Sequence, residues 1–232
     1  MSNPLVAIRG AVAFLTRLPV GGGKEGWEAF RQRPYSMIVV GYIVGALAGA
    51  AFFLPLQPTT VVAAYLVALY ALTGVTHADG VADLGDAMAI HGDSERRREV
   101  LKDSATGVGG VLLLGLTLLV LALGALAFAG IEAMTALRVA IAAEVGAKLG
   151  MVLVVCYGRS AHEGLGSQLV DRLDSTHVPP ALIVAVPAVV AAPGGAGYAL
   201  IGAAVAGPLV GVATLTWAHS RLGGVNGDVI GA

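Results

Sequence analysis

The stretch "VLLLGLTLLVLALGALAFAG", from Val111 to Gly130, contains no charged side chain over its whole length. A helix of about 20 apolar residues spans the hydrocarbon core of a bilayer, which is roughly 30 Å thick. Of the 232 residues in the chain, 56% are hydrophobic and only 12% are charged. This composition predicts an all-α, polytopic membrane protein that forms a single integral membrane domain over residues 1–232.

Other apolar runs have similar lengths. They predict membrane crossings near 37–56, 59–78, 110–130, 139–157 and 198–219. A sixth run at 179–193 is short and broken by Pro187, so either a kinked crossing or a re-entrant segment fits it, and a Gly/Pro turn follows. The first 20 residues have arginines within their apolar part, which indicates a helix at the membrane interface and not a cleaved signal peptide. About six transmembrane helices plus an N-terminal interfacial helix are expected.

The basic residues are distributed unequally between the two sides of the membrane. With six crossings, one side has twelve of the fourteen Lys and Arg residues, the other side has Arg138, and Lys148 lies within the fourth crossing. The positive-inside rule therefore places the richer side in the cytoplasm. We expect the polar segments of that side to form one cytoplasmic functional face of a protein in the cell membrane. These segments are 17–36, 76–110, 158–178 and 220–232.

Segment 76–110 concentrates charge, with seven acidic and four basic residues. In its "HADGVADLGD" part, the spacing of Asp79, Asp83 and Asp86 puts three carboxylates on one face of a helix that continues the second crossing. Like charges in this arrangement repel, and Mg²⁺ would relieve the repulsion because it takes carboxylate oxygens while it keeps waters and binds phosphate. The alternative is a solvated helix end. Metal binding is favoured because ionisable groups near the membrane are expensive.

The second half of the segment, "RRREVLKDSATGVGG" from Arg96 to Gly110, contains candidate phosphate ligands. Arg97 offers a fork of donors that matches phosphate oxygens, and Lys102 offers a point charge. A basic cytoplasmic loop or a solvated helical face explains the same pattern without any ligand. Lys102 and Asp103 are the preferred functional pair, and the glycines that follow them would present backbone amides to a phosphate.

The stretch "LGGVNGDVIGA", Leu222 to Ala232, places Asn226 and Asp228 among four glycines. Glycines let the backbone approach a ligand closely, and Asp228 would add an oxygen to a metal shell. The alternative is an ordinary flexible end. A further apolar helix is expected to begin beyond Ala232.

Three more basic residues are candidates for substrate binding. Lys148 stands one turn after Glu144, which predicts an internal ion pair, although Lys148 facing a polar pocket is the alternative. Arg17 would reach either lipid headgroups or a substrate phosphate. Arg159 opens the polar loop "GRSAHEGLG".

These blocks resemble the cobalamin synthase family, the adenosylcobinamide-GDP ribazoletransferases. The resemblance rests on "FLTRLPV", on "HADGVADLGDA" through "RRREVLKDSATGVGG", and on "LGGVNGDVIGA", with "GRSAHEGLG" as a weaker fourth block. It implies a polytopic inner-membrane enzyme that joins a GDP-activated corrinoid to α-ribazole or its 5′-phosphate. It further implies release of GMP and a need for Mg²⁺.

The resemblance also implies site residues. The family's acid motif falls on Asp79, Asp83 and Asp86, its Lys-Asp step on Lys102 and Asp103, and its terminal acid on Asp228, while Lys148 stands where the family commonly has arginine. The expected catalytic residues are Asp79, Asp83, Asp86 and Asp103, and the expected metal ligands are Asp79, Asp83, Asp86 and Asp228. The expected substrate-binding residues are Arg17, Arg97, Lys102, Lys148, Arg159 and Asn226.

The expected partners are the two small-molecule substrates and membrane lipid, with no nucleic acid polymer, and a homo-oligomer is left open. Two other functions fit parts of the pattern. Membrane CDP-alcohol phosphotransferases also space aspartates at helical periods. A divalent cation transporter would use the same acidic face, but transporters place their charges at the bilayer midplane, whereas these lie at one surface.

Overall fold

The computed structural model describes residues 3–103, 105–190 and 197–232, and its regular elements there are helices, apart from one isolated β-bridge. The helices are α1 (Pro4–Leu15), α2 (Gly23–Phe30), α3 (Tyr35–Gly49), α4 (Pro58–Thr73), α5 (Thr76–Ala89), α6 (Ser94–Val100), α7 (Val108–Ala129), α8 (Ala133–Tyr157), α9 (Leu165–Val170), α10 (Val178–Ala185), α11 (Pro187–Val190), α12 (Gly197–Arg221) and α13 (Gly227–Gly231). Short 3₁₀ turns at Ala50–Phe53 and Ser175–His177 extend α3 and precede α10.

Four helices are long and apolar enough to cross a membrane: α3 with its 3₁₀ extension, α7, α8 and α12. The pair α4–α5 makes a fifth crossing only if it is counted as one strongly bent span. The predicted crossing at 179–193 is shorter than a span in its described part, Ser175–Val190, and its last residues and the turn after it lie outside the described residues. The all-α polytopic fold is therefore confirmed, with four or five crossings in the described ranges where about six were expected.

The chain turns sharply between α4 and α5. Gly74 ends α4 with φ 72° and ψ −163°, a backbone conformation that glycine adopts easily, and the two helix axes meet at 94°. The backbone N–H of Arg17 donates to the Leu72 carbonyl at 2.7 Å, which ties the segment after α1 to this turn. The expectation that the acidic helix continues the second crossing is wrong. We place α5 outside the membrane-spanning segments, because three carboxylates on one helix are expensive in hydrocarbon.

Helix α8 is the centre of the bundle and packs against α3 on one side and α12 on the other. Both contacts are backbone to backbone, since a Cβ at Gly45 would lie 2.6 Å from the Ile141 Cα, and one at Gly150 would lie 2.5 Å from the Gly207 carbonyl oxygen. Small residues at four-residue spacing allow such close approach between membrane helices. The glycines at these two contacts are Gly41, Gly45, Gly146, Gly150, Gly207 and Gly211.

Helix α7 is held mainly at its N-terminal end, where it packs on α5. The carboxylate of Asp86 accepts hydrogen bonds from the backbone N–H groups of Gly107 at 2.7 Å and Gly110 at 2.8 Å. These are amides that the first turn of a helix leaves without an intrahelical partner. Asp86, expected as a metal ligand, therefore anchors α7, and amides that were expected to face a phosphate are already bonded to it.

We expect Gly207→Ala to destabilise the bundle. The added Cβ would meet the backbone of α8, with the Ala147 nitrogen at 2.5 Å, so the two helices must separate. Overpacking of this kind costs about 1–3 kcal/mol, which a lower midpoint of thermal unfolding in detergent would reveal. The matched control is Gly202→Ala on the same helix, where a Cβ meets nothing within 4 Å. Equal midpoints for the two variants would contradict this packing.

Asp86→Ala should also lower stability, because it leaves the amides of Gly107 and Gly110 without their acceptor. Unpaired buried donors cost about 1–3 kcal/mol each. Asp93→Ala is the comparison, since Asp93 caps α6 at an exposed position through the Arg96 N–H. Thermal unfolding of both variants should show the larger loss for Asp86→Ala, and the reverse order would show that Asp86 does not anchor α7.

Candidate active site

The acidic face of α5 is completed by a residue from the other end of the chain. Helix α13 packs directly on α5 because Gly80 has no side chain, and a Cβ there would lie 2.8 Å from the Asp228 carbonyl oxygen. This contact brings Asp228 to the carboxylates of Asp79 and Asp83. Asp79 and Asp228 line one cavity, and Asp83 lies close enough to both for their charges to act on it, although no three such side chains among the described residues form a group that could hold a metal ion by themselves.

Backbone hydrogen bonds to residues 159–161 fix the segment before α13. The Val225 N–H donates to the Arg159 carbonyl at 2.7 Å, and the Ala161 N–H donates to the Val225 carbonyl at 2.9 Å, which makes the isolated bridge between Ser160 and Val225. A Cβ at Gly224 would lie 2.5 Å from the Arg159 carbonyl oxygen, so the bridge needs a glycine there. The glycine-rich stretch is thus a docked strand-like segment and not a flexible end.

Asn226 orients the acid that follows it. Its side-chain oxygen accepts from the Val229 N–H at 3.0 Å, which caps α13, and its Nδ2 donates to Asp228 Oδ2 at 2.7 Å. Asn226 is buried. Asn226, which was expected to bind substrate, therefore positions the Asp228 carboxylate.

The carboxylates perturb one another. Burial, together with the charges of Asp228, Asp79 and Asp86, raises the pKa of Asp83 to about 6. Burial also raises the pKa of Asp228, against a hydrogen bond from Asn226 that lowers it. Desolvation and neighbouring like charges both disfavour the ionised form, so a cation placed here would be stabilising.

His77 was missed by the sequence reasoning. Its Nδ1 lies 2.8 Å from the Gly231 carbonyl oxygen and so donates, which leaves Nε2 to accept from Lys148 Nζ at 3.3 Å. Burial and the charge of Lys148 lower the pKa of His77 to about 4, so the ring is neutral near pH 7. His77 thereby joins α5, α8 and α13. The only sequence signal was its place two residues before Asp79.

The predicted ion pair between Glu144 and Lys148 is wrong. The ion pairs within 4.0 Å among the described residues are Arg31–Glu28, Arg96–Glu99 and His177–Asp174. Lys148 is buried and turns toward His77, which was the alternative reading of its position.

Two cavities flank His77. One of about 330 Å³ lies between α4, α8, α12 and α13 and contains Glu144 and Lys148. The other, of about 300 Å³, is bounded by α1, α5, α9 and α13, and Asp79 and Asp228 form part of its lining. The acidic group is therefore adjacent to an internal space in which a small molecule can lie.

The expected basic ligands are not gathered in the same way. Arg97 is buried and donates to the Ala87 carbonyl near the end of α5, which gives it a structural role. Lys102 and Asp103 are exposed and line neither cavity, and the Asp103 carboxylate accepts from the Ala105 N–H at 3.0 Å. Arg17 and Arg159 are exposed.

The carboxylates of Asp79, Asp83 and Asp228 are the candidate metal ligands of the site. Among the described residues, no three His, Cys, Asp or Glu side chains form a group that could hold a metal ion by themselves. Mg²⁺ usually takes only one or two protein carboxylates and fills its octahedron with waters and substrate phosphates. One or two of the Asp79, Asp83 and Asp228 carboxylates would serve that mode of binding, in which the substrate supplies the remaining oxygens.

Comparison with known proteins places the chain in a family. The family model described as cobalamin-5-phosphate synthase matches residues 7–232. A relative from Halorubrum lacusprofundi is 43% identical over 98% of this chain and 91% of its own length, and one from Haloquadratum walsbyi is 41% identical over 97% and 91%. A relative from Archaeoglobus fulgidus is 32% identical over 97% of this chain and 90% of its own length. All three are named adenosylcobinamide-GDP ribazoletransferase.

No solved structure matches the chain. The family match covers every segment that builds the acidic group, from α5 to the docked segment before α13. The chain belongs to the cobalamin-5-phosphate synthase family and is a transferase of cobalamin biosynthesis.

Proposed function

We propose that this chain is a Mg²⁺-dependent phosphotransferase that joins adenosylcobinamide-GDP to α-ribazole or its 5′-phosphate and releases GMP. The names of the relatives support the two substrates. The single structural observation that supports the chemistry is the convergence of Asp228 on Asp79 and Asp83 beside a cavity. Chemistry on a diphosphate requires compensation of negative charge, and a set of carboxylates achieves this only together with a cation.

One or two carboxylates from the set Asp79, Asp83 and Asp228 would hold the metal. When bound, Mg²⁺ would neutralise the diphosphate and stabilise the charge that develops on the departing GMP. Asp86 stays an expected ligand of the same group, because each of its oxygens accepts only one hydrogen bond from the N-terminal end of α7 and keeps a further lone pair. Asn226 keeps the Asp228 carboxylate in one orientation.

The chain's own residues would also place the acceptor. A ribose hydroxyl within the cavity of about 300 Å³ would lie near Asp79 or Asp228, and a carboxylate oxygen that is not engaged by metal would accept its proton. Exposed cations on the neighbouring loops, Arg17, Arg159 and Lys102, are assigned to the substrate phosphates. The contact between α5 and α13 requires an even number of crossings between them, which the apolar segment Ser175–Val190 would supply together with α7, α8 and α12. With that arrangement the predominance of basic residues on these loops supports a site that faces the cytoplasm from the cell membrane.

Asp83→Asn should abolish turnover without unfolding the protein. The variant removes the charge nearest the centre of the acidic group, and we expect GMP release from the activated corrinoid to fall by about 100-fold or more. Asp171→Asn, which changes an exposed acid on α9's C-terminal flank, is the matched control and should keep wild-type turnover. Normal Mg²⁺-dependent turnover by Asp83→Asn would remove the metal assignment.

The mode of metal binding gives a second expectation. Because the described residues contain no three-residue cage, titration calorimetry should detect weak Mg²⁺ binding to the protein alone and binding about tenfold tighter with the activated corrinoid present. Asp83→Asn should lose that enhancement. Equal Mg²⁺ affinity with and without the corrinoid would contradict a site completed by substrate.

The alternative functions have their own readouts in the same preparation. A CDP-lipid substrate should yield no CMP, whereas production of CMP would indicate a lipid-alcohol phosphotransferase. Proteoliposomes should show no Mg²⁺ flux, and flux without any nucleotide product would indicate a transporter.

A further inference from the structure

The lining of the cavity that contains Asp79 and Asp228 combines two kinds of side chain. The polar ones are these two carboxylates, His77 and the threonines at the α4–α5 turn, and the remaining side chains are apolar. The apolar wall is made by Phe14, Leu15, Leu165, Leu169, Met151 and Ile230. A ligand that fits must therefore have an apolar body and a polar group that reaches the carboxylates.

The aromatic part of this wall is held in place. The ring centroid of Phe14 lies 4.8 Å from that of Trp27 and 5.6 Å from that of Phe30, so tilted aromatic rings join α1 and α2. Trp27 Nε1 donates to Gln168 Oε1 at 3.3 Å, which connects α2 to α9. The two sides of the wall, Phe14 from α1 and Leu165 from α9, are thus fixed relative to each other. A preformed apolar slot of this kind suits a flat aromatic ring.

We infer that this cavity binds the acceptor nucleoside, with its benzimidazole base against Phe14 and Leu165 and its ribose at Asp79 and Asp228. The inference rests on the proposed function, since it assigns one of the two proposed substrates to a place in the site. The acceptor has an apolar bicyclic base and a sugar that carries the attacking hydroxyl, which matches a lining that combines apolar side chains with carboxylates.

The other substrate fits less well. A corrin macrocycle is much larger than a cavity of about 300 Å³, and the guanine of its GDP group has a polar edge that needs hydrogen-bond partners. With the carboxylates of the cavity engaged by the ribose and the metal, a guanine base against Phe14 and Leu165 would have unpaired donors, which is unfavourable. The activated corrinoid must therefore approach the acidic group from outside this cavity and present its diphosphate to the ribose.

The test is Leu165→Trp, which narrows the cavity from a side chain that is 61% exposed, so the larger ring can be accommodated without disturbing the core. We expect the KM for α-ribazole to rise at least tenfold, with the KM for the activated corrinoid and the kcat unchanged. Calorimetric titration of α-ribazole alone should show the same loss of affinity. Leu209→Trp is the matched control, because Leu209 is 66% exposed on α12 and lines neither cavity.

A second variant and a ligand series guard against a failure of Leu165→Trp to fold. Phe14→Leu removes the ring and should raise the KM for the nucleoside severalfold without filling the cavity. On the wild-type protein, the riboside of dimethylbenzimidazole should bind roughly tenfold more tightly than the riboside of benzimidazole, because two methyl groups are buried. Equal affinities for the two ribosides would overturn the inference.

The outcomes separate the inference from the proposed function. An unchanged nucleoside KM in Leu165→Trp overturns the inference, and a raised KM for the activated corrinoid or weaker inhibition by GMP would assign the cavity to guanine. Absence of GMP production by the wild-type protein from both substrates with Mg²⁺ would instead overturn the proposed function.

Discussion

The absence of a side chain at Gly80 is the constraint on which the site depends. Because the Asp228 backbone lies directly against this position, α13 can pack on α5 and bring a fourth carboxylate to the three on α5. Any larger residue would push α13 outward and separate Asp228 from Asp79. The acidic group is thus a product of backbone packing, and the charges themselves oppose it.

Two structural devices offset that opposition. Asn226 and the bridge between Ser160 and Val225 hold the segment before α13. Neutral His77 donates to the carbonyl of Gly231, the last residue of α13. The amides of α7 donate to the Asp86 carboxylate and so offset part of its negative charge. The result is a set of carboxylates that remains accessible to a cation and a diphosphate, together with a rigid frame around it.

Much of this could be predicted from the sequence. Long uncharged runs such as Val111–Gly130 predicted the spanning helices, because burial in hydrocarbon imposes both length and composition. The i, i+4, i+7 spacing predicted the acidic face, and the family resemblance predicted that Asp228 belongs with it. The spanning helices and the acidic face follow from local patterns: the length and composition that hydrocarbon imposes, and the spacing that puts side chains on one helix face.

What the sequence could not predict depends on three-dimensional packing. The 94° turn at Gly74 follows from a single backbone torsion, and apolar periodicity continues across it without a break. The pairing of Lys148 with His77 instead of Glu144 depends on which helix lies opposite α8. Asp86 has the same chemistry as Asp83, and only the position of α7 makes Asp86 an anchor for that helix.

The docking of the segment around Asp228 has a consequence for biosynthesis. Residue 228 follows every described membrane-spanning helix in chain order, whereas its partners on α5 precede three of them. While the ribosome is still translating those later helices, Asp79 and Asp83 are already at the membrane surface without Asp228. A nascent chain therefore gains Asp228 only after these three helices have been synthesised, so a chain that lacks any of them also lacks the full arrangement of acids.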